Sequence, residues 1–291
     1  MGLKQYRFDG ERKLFLSELA TDSLQDGADK TLTLEKTVKN QRKIRALQDR
    51  LYADGKEGLV IILQARDAAG KDSTIRHVMS GINPQGVCVT SFKQPSPEEL
   101  AHDFLWRAVR ALPERGKIAI FNRSYYEDVL VVKVRGLYKH YNLAERCLDD
   151  ATFFDKRYRH IRHFEQYLYD NGIRVLKLFL NVSPEAQKKR FLERIDDRDK
   201  NWKFSAGDLE DRELWDEFSA AYEDAVNLTA TPACPWYVLP ADQKWYTRYL
   251  VSKAVLHALQ EIDPQYPELS EEEQKALPVC RQRLESEAGA D

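Results

Sequence analysis

Four ionisable residues fall within one short stretch, "QARDAAGKDST": Arg66, Asp67, Lys71 and Asp72. Between them stand Ala68, Ala69 and Gly70, small residues that let a backbone approach a ligand closely. A lysine where such a loop opens a helix suits phosphate. Main-chain N–H groups and the helix N-terminus face the anion, and the ammonium reaches it. Lys71 is poorly placed for the helix dipole alone, which favours this reading over an ordinary strand-to-helix turn. The common pattern G-x-x-x-x-G-K-[ST] is broken twice: Ala65 stands at the first glycine, and Asp72 at the hydroxyl that usually holds Mg²⁺. A carboxylate facing phosphate is repelled unless a cation lies between them or it touches the acceptor. Asp67 therefore reads as a Mg²⁺ ligand or as the orienter of an attacking phosphate oxygen. Asp72 reads as part of the loop or as a charge complementing the helix N-terminus.

A second set lies in "IFNRSYYED". Asn122 and Arg123 leave a strand, with Glu127 and Asp128 shortly after. An acid near a phosphate loop is the usual second metal anchor, and a planar guanidinium can clamp phosphate. The bland alternative is a local surface ion pair. A third set lies in "PEAQKKRFLERIDDRDKNWKF". Arg190 and Arg194 share a helix face, and Arg198 would join them if the helix continued. Such a basic, interrupted segment suits a lid over phosphates; the interleaved acids suit a solvated helix equally. His160 and His163 have no third ligand at suitable spacing, so no metal site is expected there.

Buried strands must carry these sets. "GLVIILQ" is a continuous apolar run fit for a strand covered on both faces. "VCVTSF", "KIAIFNRS", "IRVLKLFLNVS" and "PWYVLP" supply four more strands. Helices are expected over residues 31–54, from Lys71, through the capped "SPEELAHDFLWRAVRAL", and in "FFDKRYRHIRHFEQYLYDNG". Others follow Ser183-Pro184 and run through "LEDRELWDEFSAAYEDAV" and "WYTRYLVSKAVLHALQEI". Alternating strands and helices imply an α/β fold with a five-stranded, mostly parallel sheet between helices. Ligands then sit beyond the carboxyl ends of the strands, where the first two sets lie.

The chain has 291 residues, 45 Lys and Arg against 47 Asp and Glu, and a net charge of −2, so overall charge selects no polyanionic partner. No apolar run reaches the ~18 residues of a membrane span, and "MGLKQYRFDGERKLFL" shows neither the apolar core nor the small-residue cleavage site of a secretory signal, so none is expected. Tyr6 excludes the myristoylation pattern. Cys88, Cys147, Cys234 and Cys280 are widely spaced and read as reduced thiols. A cytoplasmic protein with no membrane and no nucleic-acid partner is expected.

At the stretches "QARDAAGKDSTIRHVMSGINPQGVCVTSF", "FLWR", "IFNRSYYEDVLVVKV", "RYRHIRHFE", "FLERIDDRDKNWKFSAGDLEDRELWDEF" and "PWYVLPADQKWYTRYLV", the sequence resembles the polyphosphate kinase 2 family. The resemblance runs in order over residues ~45 to 260, and the broken loop pattern belongs to the family. It implies a thymidylate-kinase-like P-loop kinase fold with a helical lid over about 184–210. On it residues 1–57 form an N-terminal helical extension, 58–262 the kinase domain and 263–291 a peripheral acidic tail. The implied activity is reversible phosphoryl transfer between polyphosphate and AMP or ADP, giving ADP and ATP. Mg²⁺ is the implied cofactor, with Mn²⁺ as a substitute; guanine nucleotides are further candidates, and a homodimer or homotetramer is implied.

The family's catalytic positions fall on Asp67, Lys71, Arg123, Asp128, Arg190 and Arg194. Its phosphate and nucleotide contacts fall on Ala68, Ala69, Gly70, Lys71, Asp72, Asn122, Glu127 and Arg198, and the metal on Asp67 and Asp128. Asn122, where members using only ADP tend to carry Asp, is similar to the group using both nucleotides. Candidates for a polyphosphate groove are Arg66, Lys71, Arg76, Lys133 and Arg135. Two rival readings are an ATP-dependent nucleoside monophosphate kinase and a P-loop module that binds without catalysis.

Overall fold

The computed structural model describes residues 2–149 and 151–287. In chain order the elements are β1 (Arg7–Phe8), α1 (Lys30–Asp54), β2 (Gly58–Ala65), α2 (Lys71–Val78), β3 (Val87–Ser91), α3 (Pro97–Leu100), α4 (Trp106–Val109) and β4 (Ile118–Asn122). Then follow α5 (Val131–Val134), α6 (Phe153–Asp170), β5 (Ile173–Asn181), α7 (Pro184–Asp196), α8 (Gly207–Glu213), α9 (Trp215–Thr229), β6 (Trp236–Pro240), α10 (Lys244–Ile262) and α11 (Glu271–Glu287).

The sheet runs β1-β6-β5-β2-β4-β3. Five strands are parallel, and β1 adds antiparallel to β6 through Arg7↔Tyr237 and Phe8↔Trp236. The expected five-stranded sheet is thus corrected to six strands among the described residues. A two-residue strand is too short to show periodicity; it is held because the Phe8 side chain is buried.

β2 is central, and all of its residues are buried. Alternate side chains face opposite layers. Leu59, Ile61 and Leu63 pack with Ile44 and Leu51 of α1 and Leu250 and Leu259 of α10. Val60 and Ile62 pack with Ile161 of α6 and Phe218 and Tyr222 of α9. Each such burial contributes about 1.5–3 kcal/mol, so the strand that ends in the phosphate loop is held from both faces.

Caps fix the neighbouring helices. Asp29 accepts from Leu32 N–H at the start of α1, and Gly55, at φ 64°, ends it. Ser183 caps α7 with Pro184 next. The expected single helix over "SPEELAHDFLWRAVRAL" is broken into α3 and α4. Asp103 Oδ1 accepts from Leu105 N–H (3.0 Å) and Asp103 O from Trp106 N–H (3.0 Å), starting a new turn. The capped helix expected at Ser270 is α11, exposed along its whole length; residues 288–291 of the tail lie outside the described residues.

Candidate active site

β2 delivers the chain to the phosphate loop. The loop turns through two left-handed residues, Ala68 (φ 60°) and Gly70 (φ 105°). The Cβ of Ala68 makes that conformation unfavourable by roughly 1–2 kcal/mol, so the surroundings must hold it. Arg190 of α7 does so. Its Nη1 donates to Ala68 O (2.9 Å) and Ala69 O (2.8 Å), and its Nη2 to Ala241 O (2.6 Å) and Asp242 O (2.9 Å). Gln187, one turn earlier, donates to Asp67 O (3.0 Å) and is itself held by Arg212 of α8 (2.8 Å).

Asp67 meets the second set across the sheet. Arg123 Nη2 lies 2.6 Å from Asp67 Oδ1, and its Nη1 lies 3.4 Å from Glu127 Oε2. Arg123 is itself left-handed (φ 62°), tied by its N–H to Leu63 O (3.0 Å). Burial opposes its charge, yet Glu127 and Asp67 raise its pKa above the ordinary arginine value. Burial lifts Glu127 above the usual carboxylate range despite Arg123 and Lys71.

Lys71 begins α2 and is buried. Its Nζ turns back to Ala65 O (2.7 Å) and Arg66 O (3.4 Å). Burial, with Arg123 adding to it, lowers the ammonium to about 8, against the pull of Asp67, Glu127 and Asp72. Asp72 faces outward and accepts from Asn122 Nδ2 (2.7 Å). The unsatisfied first N–H groups of α2 open on the same space.

That space is an open cavity of about 1070 Å³ at the carboxyl end of the sheet. Asp67, Ala68, Gly70, Lys71, Asp72, Asn122, Arg123, Arg190 and Arg194 all line it. Ala69 is behind the wall, where its carbonyl meets Arg190. Arg194 pairs with Asp208 of α8 (3.5 Å) and donates to Lys203 O (3.4 Å). Arg198 is exposed and does not line the cavity.

Asp128 does not join this cluster. It turns into a second cavity of about 470 Å³ and pairs with Arg157 Nε (3.3 Å), whose guanidinium lies 4.2 Å from the Phe104 ring and 4.7 Å from Phe153. Burial raises its carboxyl to about 6, with Arg157 and Arg107 opposing. Residues 125–129 form a 3₁₀ turn. Successive side chains there point about 120° apart, so Glu127 and Asp128 cannot both face Arg123. The two cavities adjoin: Lys93 and Gln94 line the first, Pro95 the second, and Arg107 Nη1 donates to Lys93 O (2.8 Å).

Of the groove candidates, Lys71 and Arg76 line the phosphate cavity. Arg66 is stacked 3.9 Å over Trp215 and bonded to Ser219. Lys133 pairs with Asp224 (2.6 Å) and Arg135 with Asp211 (2.7 Å). In their place stand Lys93, Lys200, Lys203 and Lys244. Lys93 follows β3 and Lys244 follows β6, so the rule that ligands gather beyond strand ends would have found both. Among the described residues no group of three or more His, Cys, Asp or Glu is placed to hold a metal by itself, and no helix is long and apolar enough to cross a membrane.

A model of the family described as Polyphosphate kinase 2 (PPK2) matches residues 27–267. An ADP-polyphosphate phosphotransferase of Rhodopseudomonas palustris is 48% identical over 83% of this chain and 84% of its own. An AMP/ADP-polyphosphate phosphotransferase of Meiothermus ruber is 44% identical over 91% of this chain and 96% of its own. The crystal structure of Polyphosphate Kinase 2 from Arthrobacter aurescens TC1 superposes with a TM-score of 0.84 at 36% identity, covering 95% of each chain. With the phosphate loop, strand-end arginine and basic helix pair in one cavity, the chain belongs to the polyphosphate kinase 2 family.

Proposed function

We propose that the protein transfers a phosphoryl group between inorganic polyphosphate and AMP or ADP, giving ADP and ATP. The observation that carries this reading is the cavity of about 1070 Å³, in which Lys71, Arg76, Lys93, Lys200, Lys203 and Lys244 add to the arginines. Repeated cations in one cavity suit a donor made of phosphate alone. The adjoining cavity of about 470 Å³ is the right size for a nucleoside. Its aromatic walls, Phe104, Tyr141 and Phe153, suit a base. The substrates named for the R. palustris and M. ruber relatives support the choice of polyphosphate and adenine nucleotides.

Catalysis in this reading is positioning and charge stabilisation. Lys71 and the N–H groups at the start of α2 hold the transferring phosphoryl. Arg123 and Arg194 neutralise charge as it spreads over the equatorial oxygens. The acceptor phosphate is already ionised near pH 7, so Asp67 orients it and removes no proton. Mg²⁺ is commonly held by one or two carboxylates alongside phosphates. Asp67, which lines the phosphate cavity, fits that pattern; Glu127, which does not line it, and Asp128, paired with Arg157, do not. Asp67 would hold the ion, which supplies positive charge to the phosphate oxygens when bound.

Purified protein with Mg²⁺, polyphosphate and AMP or ADP tests the reading by the ADP and ATP formed. A nucleotide-dependent kinase would instead need ATP as donor, and a binding module would turn over neither.

A further inference from the structure

Behind the turn that carries Arg123 and Glu127 lies an ion pair closed off from solvent. Lys177 of β5 places Nζ 2.6 Å from Glu165 Oε2 of α6, with side chains 0% and 1% exposed. Glu165 Oε1 accepts from the hydroxyls of Tyr125 (2.9 Å) and Tyr126 (2.8 Å). Lys177 also donates to Thr229 O (3.0 Å), and the Tyr126 hydroxyl oxygen lies 2.8 Å from Thr229 Oγ1. Burial and then Glu165 raise both tyrosines well above the ordinary phenol value, so both hydroxyls remain donors.

Such a pair is a poor device for stability alone. Desolvation costs several kcal/mol per ion, and apolar replacements of like volume are often neutral or stabilising. What the pair supplies is direction. The two tyrosines stand between Arg123 and Glu127 in the chain. Arg123 is left-handed, a conformation that persists only where its surroundings over-determine it. Helix α6 grips the turn twice, through Glu165 on the tyrosines and through Arg157 on Asp128.

We propose that Glu165 and Lys177 are positioning residues for phosphoryl transfer. Through the Tyr125 and Tyr126 hydroxyls they fix the turn that aims Arg123 at Asp67. This rests on the phosphotransferase reading.

The test compares wild type, Tyr125→Phe/Tyr126→Phe and Glu165→Met/Lys177→Met in polyphosphate-driven ATP formation from ADP, with thermal unfolding alongside. Both variants are expected to melt within about 5 °C of wild type or above it. Their kcat falls by about tenfold to a hundredfold, while KM for ADP moves by less than about threefold. In an Arg123→Ala background the same changes add little further loss, because the residue they position is gone. A folded variant with kcat within about threefold of wild type overturns the proposal, and so does a full additive loss in the Arg123→Ala background. If the methionine pair does not fold, the phenylalanine pair, which removes only two oxygen atoms, decides alone. An inactive wild type takes down the phosphotransferase reading as well; an active wild type with unimpaired variants overturns this proposal only.

Discussion

Asn122 donates a 2.7 Å hydrogen bond from Nδ2 to Asp72 Oδ1, joining the end of β4 to the first turn of α2. The neutral amide leaves Asp72 as the single charge of that pair. An aspartate at 122 would set two carboxylates at hydrogen-bond distance, where one holds a proton or both draw a cation. In Asn122→Asp, kcat/KM with AMP should fall by about tenfold relative to ADP, since AMP has one phosphate to hold against the added charge and ADP two. Initial rates with each acceptor at fixed polyphosphate check this; an unchanged ratio contradicts it.

Asp67 and Lys71 serve the reaction more than the fold. Asp67→Asn and Lys71→Ala should each lower kcat/KM by at least about a hundredfold while circular dichroism and melting stay near wild type. Near-normal turnover in both variants would remove the site assignment.

Lys71 also sets a pH limit. Its ammonium is lowered by burial to about 8. Above that pH the empty site loses the charge that a phosphate needs, so kcat/KM for polyphosphate should decline as pH rises through about 8. Lys71→Arg should move the decline beyond the reach of the assay, whatever its effect on rate. Stability of the ligand-free protein runs the other way: between about 8 and the free lysine value the unfolded chain binds more protons, so this group's contribution rises with pH.

Asp208 holds Arg194 at 3.5 Å. Asp208→Asn should free the guanidinium for phosphate. A partly exposed pair of this kind is worth up to about 1 kcal/mol, so KM for polyphosphate should drop by no more than about fivefold. A rise in KM would show instead that Asp208 orients Arg194 productively.

Much of this was legible because burial and phosphate chemistry leave local marks. The run "GLVIILQ" announced β2, and "DAAGKD" the loop that follows it. What stayed hidden depended on contacts distant in the chain. Arg190 sits on the expected helix face, yet four carbonyls from two loops claim its guanidinium. Glu127 and Asp128 are adjacent letters, and only the 3₁₀ turn separates their directions. Arg66, Lys133 and Arg135 are ordinary basic letters until Trp215, Asp224 and Asp211 are placed beside them.

A donor comparison tests polyphosphate-driven transfer most directly. The purified protein is incubated with Mg²⁺ and AMP, with either polyphosphate or ATP as the sole donor, and nucleotides are separated over time. The expected products are ADP and then ATP from polyphosphate, with polyphosphate shortening in step, and no comparable turnover with ATP alone. ADP formed readily from ATP and AMP, with none from polyphosphate, would contradict it.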